Sequence, residues 1–194
     1  MATDIQILID LLSNFIPGNE QETADRKLFL ERAKNPANLT RESDAHFTAS
    51  GFVLNQDHTK VLGIFHNIYQ SWGWMGGHAD GDPDLEHVAR KEVEEESGVS
   101  DIKLLLPTPI SLESIPVAAH VRRGETVAEH THLNVTFLFE ANDSIEIRIQ
   151  PDENSGVKWI PINEFVSASL EPHMQIIYRK IINCIENGEI NETF

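Results

Sequence analysis

The sequence predicts an α/β sandwich with a mixed β-sheet and an N-terminal helical extension. Segments with the two-residue periodicity of strands fill the middle of the chain, amphipathic helical segments lie at both ends, and one helix interrupts the strands. Strands and helices do not alternate regularly. This order favours a mixed sheet over a doubly wound parallel sheet.

Residues 1–45 predict the helical extension, and residues 46–194 the main domain. Apolar residues recur at helical spacing up to Pro17-Gly18, and they are Ile5, Leu8, Ile9, Leu12, Phe15 and Ile16. A second helix is expected from about Glu20 to Lys34. The apolar face of the first helix must be buried, either on its own domain or across a homodimer interface, and we expect a homodimer.

The main domain is expected to open with a β-hairpin, Phe47–Leu54 and Val61–Ile68, followed by a Trp- and Gly-rich loop from Ser71 to Gly77. A helix then starts at Pro83, with Asp82 as N-cap, and ends at Gly98. Further strands are predicted at Ile102–Leu106, Ser111–Val121, His132–Phe139, Ile145–Ile149 and Val157–Ile160, with a polar loop at Arg122–Glu129. A closing helix runs from Pro172 toward Gly188.

Composition excludes several classes of partner. The 31 acidic and 15 basic residues give a net charge of −16, which repels polymeric nucleic acid and anionic membranes. A small phosphorylated ligand is still compatible with this negative charge, because divalent cations held by carboxylates make the local electric field positive. The single cysteine, Cys184, excludes an intramolecular disulfide, and neither a secretory signal nor an apolar stretch of about 18 residues is present. We therefore expect a cytoplasmic protein.

The helix after Pro83 carries an unusual acidic face. Its apolar side continues toward the C-terminus as Glu92, Glu95 and Glu96. Carboxylates at these spacings repel one another, and the negative end of the helix dipole adds to the repulsion. Acidic runs are commonly solvated faces, yet this spacing also supplies the oxygen ligands that Mg²⁺ prefers.

The segment from Gly77 to Val99 resembles the Nudix box, G-x5-E-x7-R-E-U-x-E-E-x-G-U, where U is aliphatic. Gly77 is the first glycine, Lys91-Glu92 corresponds to the RE pair, Glu95-Glu96 to the EE pair, and Gly98-Val99 to the final GU. Seven of the nine positions match. Pro83 replaces the usual Glu, and one of the nearby residues Asp80, Asp82 and Asp84 is an alternative for part of its role. Lys91 replaces an Arg that orients the neighbouring carboxylate through a forked guanidinium. Both replacements leave open a reduced or altered activity.

The resemblance implies a MutT-like hydrolase with an α/β/α sandwich that cleaves the diphosphate of a small nucleoside diphosphate derivative. It further implies Mg²⁺ or Mn²⁺ held by Gly77, Glu92, Glu95 and Glu96, with Glu92 or Glu95 accepting a proton from water. Two alternatives share the fold. A non-catalytic nucleotide sensor is supported by Pro83 and Lys91, whereas isopentenyl diphosphate isomerase needs a catalytic cysteine early in the core, where this chain has none.

Five further residues are candidates for substrate contact: Trp72, Trp74, His78, Arg122 and Glu153. Each has a structural alternative, such as filling a gap, ordering a turn or keeping a loop soluble. Arg123 is considered together with Arg122. His130, His132 and Asn134 alternate along a predicted strand, and an ordinary polar sheet face is favoured there over a zinc site, since no cysteine accompanies them.

Overall fold

The computed structural model describes residues 4–122 and 125–188. Its helices are α1 (Asp4–Asn14), α2 (Glu20–Arg32), α3 (Leu85–Ser97), α4 (Ile162–Ala168) and α5 (Pro172–Glu186), with a 3-10 turn at Pro36–Leu39. Its strands are β1 (Ala45–Asn55), β2 (Lys60–His66), β3 (Ser71–Gly73), β4 (Met75–His78), β5 (Ile102–Leu104), β6 (Ser111–Val117), β7 (His120–Arg122), β8 (Glu125–Val127), β9 (His130–Ala141) and β10 (Asn154–Pro161). The predicted α/β fold is confirmed.

An eight-stranded mixed sheet forms the centre of the domain, with the order β10-β2-β1-β9-β5. The short strands β3, β4 and β6 pair with β2, β1 and β9. β1 and β9 run parallel over eleven residue pairs, from Ala45 opposite Thr131 to Asn55 opposite Ala141. The other pairs within this sheet are antiparallel, and β7 and β8 form a separate hairpin.

Two apolar cores cover the two faces of the sheet. Alternate residues of β1 divide between them, with Val53 in the core beneath α3 and Phe52 in the core beneath α5. The predicted extension shares the first core. Leu8, Leu12 and Phe15 are buried there together with Phe29 and Phe47, so the apolar face of α1 is covered within one chain.

Several predicted boundaries differ from the structure. The Trp- and Gly-rich segment at 71–77 forms β3 and β4 instead of a loop, and β8 lies in the predicted polar loop. The expected strand at 145–149 is wrong: this segment runs across the end of α3, where the Arg148 amide donates to the Ser97 carbonyl at 2.8 Å. The Arg148 amide thus pairs with a carbonyl at the end of α3 instead of with a neighbouring strand.

The helix α3 begins two residues later than the sequence predicts. Asp84 is the N-cap and accepts from the His87 amide at 3.0 Å, whereas Asp82 accepts from the Asp84 amide at 2.9 Å. The Asp82 bond closes a local turn around Pro83 that competes with helix formation. Gly98 ends the helix as predicted, in the left-handed conformation (φ +79°). Among the described helices, none has the length and apolarity needed to cross a membrane.

Candidate metal and active site

The close approach of β4 to α3 brings the first part of the site together. Gly77 pairs with Ala49 of β1, and its missing side chain leaves room for the Glu92 carboxylate. A Cβ atom at Gly77 would overlap the carboxyl atoms of Glu92, so any larger residue would displace them. The backbone of Gly77 and the side chain of Glu92 are therefore neighbours, as the motif predicts.

Glu96 is the most deeply buried carboxylate of the site, with 1% of the residue exposed. The Gly76 amide donates to its Oε2 atom at 2.9 Å. Burial raises the pKa of Glu96 well above its usual value, and the charges of Glu92 and Glu153 raise it further, although the Gly76 hydrogen bond opposes the shift. The site therefore disfavours a negative charge that has no cation beside it.

Glu92 experiences a similar environment. Burial raises its pKa to about 7, and Glu95 and Glu153 contribute to the increase, whereas Lys91 and Arg41 oppose it. Only 13% of the Glu92 side chain is exposed. Neighbouring carboxyl groups with raised pKa values are typical of sites that bind cations or transfer protons.

Glu95 differs from its two neighbours because its side chain is about half exposed. Lys91 Nζ lies 3.7 Å from Glu95 Oε1 and 4.0 Å from Glu92 Oε1. Lys91 is thus placed between the two carboxylates considered for proton transfer. A lysine supplies positive charge there without the paired hydrogen bonds of an arginine.

Glu153 joins the site from the loop before β10. The Asn154 side-chain amide donates to the Glu96 carbonyl at 2.9 Å, and the Glu153 carbonyl accepts from the Asn67 amide at 3.0 Å. These bonds hold the loop at the end of α3. The Glu153 carboxyl group is near that of Glu96 and raises its pKa. A fourth carboxylate therefore accompanies the three from the helix.

Arg41 is a site residue that sequence reasoning missed. Its guanidinium donates two hydrogen bonds to Asp80, at 2.7 and 2.6 Å, and its charge lowers the pKa of Glu92. These bonds also hold the pKa of Asp80 below its usual value. Arg41 follows the 3-10 turn of the extension, far from the motif, so no local spacing identifies it.

The three aspartates near Pro83 are occupied by other bonds. Asp80 accepts from Arg41, Asp84 caps α3, and Asp82 contacts His87 Nδ1 at 2.8 Å. The sequence left open that one of them takes the role of the glutamate that Pro83 replaces. In the structure, Glu153 is the additional carboxylate that lies beside Glu92 and Glu96.

His78 lies in a cluster of four histidines with His46, His130 and His132. One nitrogen atom from each ring lies within 4.8 Å of the nitrogen atoms of the other three. Burial lowers the pKa of His132 to about 2, and the other three histidines and Arg41 contribute to this shift. The three residues predicted on one polar sheet face fall into two groups. His130 and His132 belong to the histidine cluster. Asn134 accepts hydrogen bonds from the Thr48 and Ser50 hydroxyls, both at 2.9 Å.

The two tryptophans pack against the core beneath α5. Trp72 packs edge-on against Phe65 under the ammonium of Lys158, and Trp74 packs edge-on against Tyr178 in the core beneath α5. Their contact with a substrate stays a prediction. Arg122 lies at the end of β7, opposite Glu125 in the hairpin, and its role is also a prediction. Arg123 is outside the described residues.

Several solved structures have the same fold as this chain. The E. coli dihydroneopterin triphosphate pyrophosphohydrolase is 16% identical (TM-score 0.56), with 71% of this chain and 95% of that chain covered. A C. elegans Ap4A hydrolase binary complex is 13% identical (TM-score 0.51; 73% and 98% covered). The NUDIX domain of Shewanella oneidensis NrtR, complexed with ADP ribose, is 18% identical (TM-score 0.51; 72% and 87% covered).

At these identities the likeness concerns the fold. No curated protein matches the chain in sequence. The NUDIX domain family, however, matches residues 44–182, a range that contains the box helix, the Gly76-Gly77 strand and the Glu153 loop. The chain therefore belongs to the NUDIX domain family.

Proposed function

We propose that this NUDIX-type pyrophosphohydrolase cleaves a phosphoanhydride bond in a nucleoside diphosphate linked to another moiety, with Mg²⁺ or Mn²⁺ as cofactor. The observation that carries the proposal is the convergence of Glu92, Glu96 and Glu153 beside the Gly76-Gly77 backbone. Glu95 lies one turn from Glu92 on the same helix. The Gly77 carbonyl, Glu92, Glu95 and Glu96 are the proposed ligands, with Glu153 as an additional carboxylate.

The residues of the site fit a hard divalent cation. All the proposed donors are oxygen atoms, which is the ligand type that Mg²⁺ and Mn²⁺ prefer. Burial and mutual repulsion raise the pKa values of Glu92 and Glu96, so a nearby positive charge would stabilise their ionised forms. Lys91 and Arg41 supply only part of that charge.

The residues of this chain have distinct parts in the proposed reaction. A bound divalent cation would neutralise the diphosphate and lower the pKa of a coordinated water. The Gly76 amide fixes the Glu96 carboxylate, and Lys91 lies beside Glu92 and Glu95. Glu92 or Glu95 would act as the general base that accepts the proton of the attacking water.

The charge of the chain and the ligands named with the similar structures support the proposed substrate class. Ap4A, dihydroneopterin triphosphate and ADP ribose, named with the three related structures, all contain a phosphoanhydride. A net charge of −16 opposes binding of a polymeric nucleic acid. Trp72, Trp74, Arg122 and Glu153 are the proposed substrate contacts, whereas His78 follows Gly77 in β4, faces away from Glu92 and joins the histidine cluster.

The first prediction is that Glu95→Gln lowers turnover by at least about 100-fold, since it removes a charged ligand and a candidate proton acceptor. Glu94→Gln is the matched control, because Glu94 is exposed on the same helix. Release of phosphate or nucleotide with Mg²⁺ should be measured on ADP-ribose, dinucleoside polyphosphates, nucleotide sugars, CDP-alcohols and NTPs. Equal turnover of Glu95→Gln and the parent would refute the assignment.

A non-catalytic sensor is the second candidate. It is favoured by Pro83, since Asp80, Asp82 and Asp84 are engaged in other bonds and none of them replaces the missing glutamate. A sensor would bind one nucleotide of the same panel without releasing product at any Mg²⁺ or Mn²⁺ concentration. Product release would exclude it.

A further inference from the structure

The four-histidine cluster, His46, His78, His130 and His132, is separate from the carboxylate site. Gly77 and His78 are consecutive in β4, so their side-chain positions point to opposite faces of the sheet. Gly77 faces Glu92 of α3. The cluster therefore lies on the other face, where His46 of β1 is directly opposite His132 of β9 and His130 is two residues before His132.

The rings surround a common centre. His46 is 5.0–5.2 Å from each of the other three rings by centroid, and His132 is 4.9 Å from both His78 and His130. The four ligand nitrogens lie within 4.8 Å of one another. Imidazole nitrogens in a tetrahedral zinc site, at about 2.0–2.1 Å from the ion, are separated by roughly 3.3 Å. The widest nitrogen separation would need to shorten by up to about 1.5 Å to give this geometry.

Hydrogen bonds orient two of the rings as metal ligands. His46 Nδ1 is 2.9 Å from the Ser43 carbonyl, and His130 Nδ1 is 2.8 Å from the Ala128 carbonyl. A carbonyl can only accept, so each Nδ1 carries the hydrogen and each Nε2 bears a lone pair. Donation of the second ring nitrogen to a backbone carbonyl is the usual arrangement around histidines that bind metal.

His46 Nε2 supplies an independent indication. His46 is 2% exposed, and its Nε2 atom is buried without a hydrogen-bond partner among the described residues. A buried polar atom that lacks a hydrogen-bond partner destabilises the fold. The Nε2 atoms of His130 and His132 form a hydrogen bond at 3.1 Å, in which His130 Nε2 accepts and His132 Nε2 donates. A cation at the centre of the cluster would replace that hydrogen and bind the lone pairs of His46 and His130.

We propose that His46, His78, His130 and His132 form a tetrahedral site for a divalent transition metal of the zinc class. Imidazole ligands suit Zn²⁺, Co²⁺, Ni²⁺ and Cu²⁺, whereas Mg²⁺ and Mn²⁺ select the oxygen ligands of the other site. Four protein ligands leave no open position, which is typical of a structural site. Such an ion would join β1, β4 and β9, and the proposal does not depend on the proposed hydrolytic function.

Calorimetric titration of the untagged, metal-free chain with Zn²⁺, and absorption spectra with Co²⁺, test the proposal. We expect one Zn²⁺ per chain that a large excess of Mg²⁺ does not displace, and the intense visible bands of tetrahedral Co²⁺. His132→Gln should weaken Zn²⁺ binding by more than the roughly 10- to 100-fold that loss of a supporting hydrogen bond causes. The visible Co²⁺ bands should also disappear in His132→Gln.

His173→Gln is the matched control, because His173 is an exposed histidine near the start of α5, and both signals should persist in it. They should also persist when Glu92, Glu95 and Glu96 are all replaced by Gln. His130→Gln changes a less buried ligand, so it tests the site even if His132→Gln misfolds. Far-ultraviolet circular dichroism checks that both variants are folded. Unchanged Zn²⁺ affinity in folded His132→Gln and His130→Gln, or loss of the tight site in the triple glutamate variant, would overturn the proposal.

Discussion

Two adjacent glycines determine how closely the backbone of β4 approaches the acidic face of α3. Gly76 donates its amide to Glu96, and Gly77 leaves the space that the Glu92 carboxylate occupies. A side chain at position 76 would overlap Ser50 of the neighbouring strand. Both glycines are therefore required by contacts, and neither has the positive φ angle that glycine alone adopts easily.

The raised pKa of Glu92 leads to a prediction for the metal-free protein. Between pH 4.5 and about 7, the folded state retains a proton at Glu92 that the unfolded chain has released. The folded state binds more protons in this range, so its free energy of unfolding decreases as pH rises, by up to about 3 kcal/mol. Below pH 4.5 this contribution is fully retained.

In urea unfolding with EDTA, Glu92→Gln should therefore be more stable than the parent at pH 8 and differ less at pH 5. Glu94→Gln, at an exposed position, should follow the parent at both pH values. Parallel stability curves for Glu92→Gln and the parent would show that burial of Glu92 does not raise its pKa in solution.

At the scale of single residues, the sequence predicts what is local and misses what is distant. Glu92, Glu95 and Glu96 lie within one helix, so their spacing identifies them. Arg41 and His46 reach their sites only through the packing of β1 against β4 and β9. His130 and His132 were visible as a pair, but the two rings that complete their cluster come from β1 and β4.

At the scale of elements, the long periodic segments were predicted and the short strands were not. The helices α1, α2 and α5 agree closely with their predicted ranges, because their apolar residues recur over several turns. The strands β3 and β4 are three and four residues long, too short to show a period. Their glycines and tryptophans indicated a loop, whereas pairing with β2 and β1 makes them strands.

A buried ion cluster attaches α2 to the rest of the molecule. Lys180 of α5 contacts Glu22 of α2 at 2.5 Å and also contacts Glu113 of β6. The side chains of Glu22 and Glu113 are 5% and 8% exposed. Burial raises the pKa of Glu113, and Lys180 opposes the shift. The cluster thus depends on its single cation.

We predict that Lys180→Met lowers the free energy of unfolding by about 3 kcal/mol at neutral pH, because it leaves two carboxylates buried without a cation. Arg179→Met, at an exposed neighbour, is the control and should have little effect. Adding Glu22→Gln and Glu113→Gln should restore part of the loss. Urea unfolding measures all three, and a full loss in the combined variant would assign the effect to packing of the lysine chain instead.

At the scale of the whole molecule, divalent cations should change thermal stability. Binding of Mg²⁺ to the folded state alone, at about 100 times the dissociation constant, adds about 2.7 kcal/mol, or roughly 5–10 °C in Tm for a chain of this size. The gain should shrink as pH falls toward 4 to 5, since protons compete for the same oxygens. Replacement of Glu92, Glu95 and Glu96 by Gln should remove the response to Mg²⁺.

The same triple variant should be at least as stable as the metal-free parent, because it removes the repulsion together with the ligands. Differential scanning calorimetry with EDTA and with Mg²⁺ measures both effects. An equal Mg²⁺ shift in parent and triple variant would place the cation elsewhere. Cytoplasmic location stays a prediction, and so does the homodimer, which the burial of Leu8 and Leu12 within one chain no longer requires.

The parallel pairing of β1 and β9 also sets the order in which the chain can fold. Ala45 and Thr131 are neighbours in the sheet although most of the domain's sequence separates them. Closing so large a loop has an entropic cost that must be met before the pairing contributes stability, which slows folding. On the ribosome, β1 must therefore wait until β9 has emerged. Until then, the edge of β1 that pairs with β9 is exposed to other chains, while its other edge can already pair with β2 and β4. Aggregation during synthesis is therefore most expected at this edge.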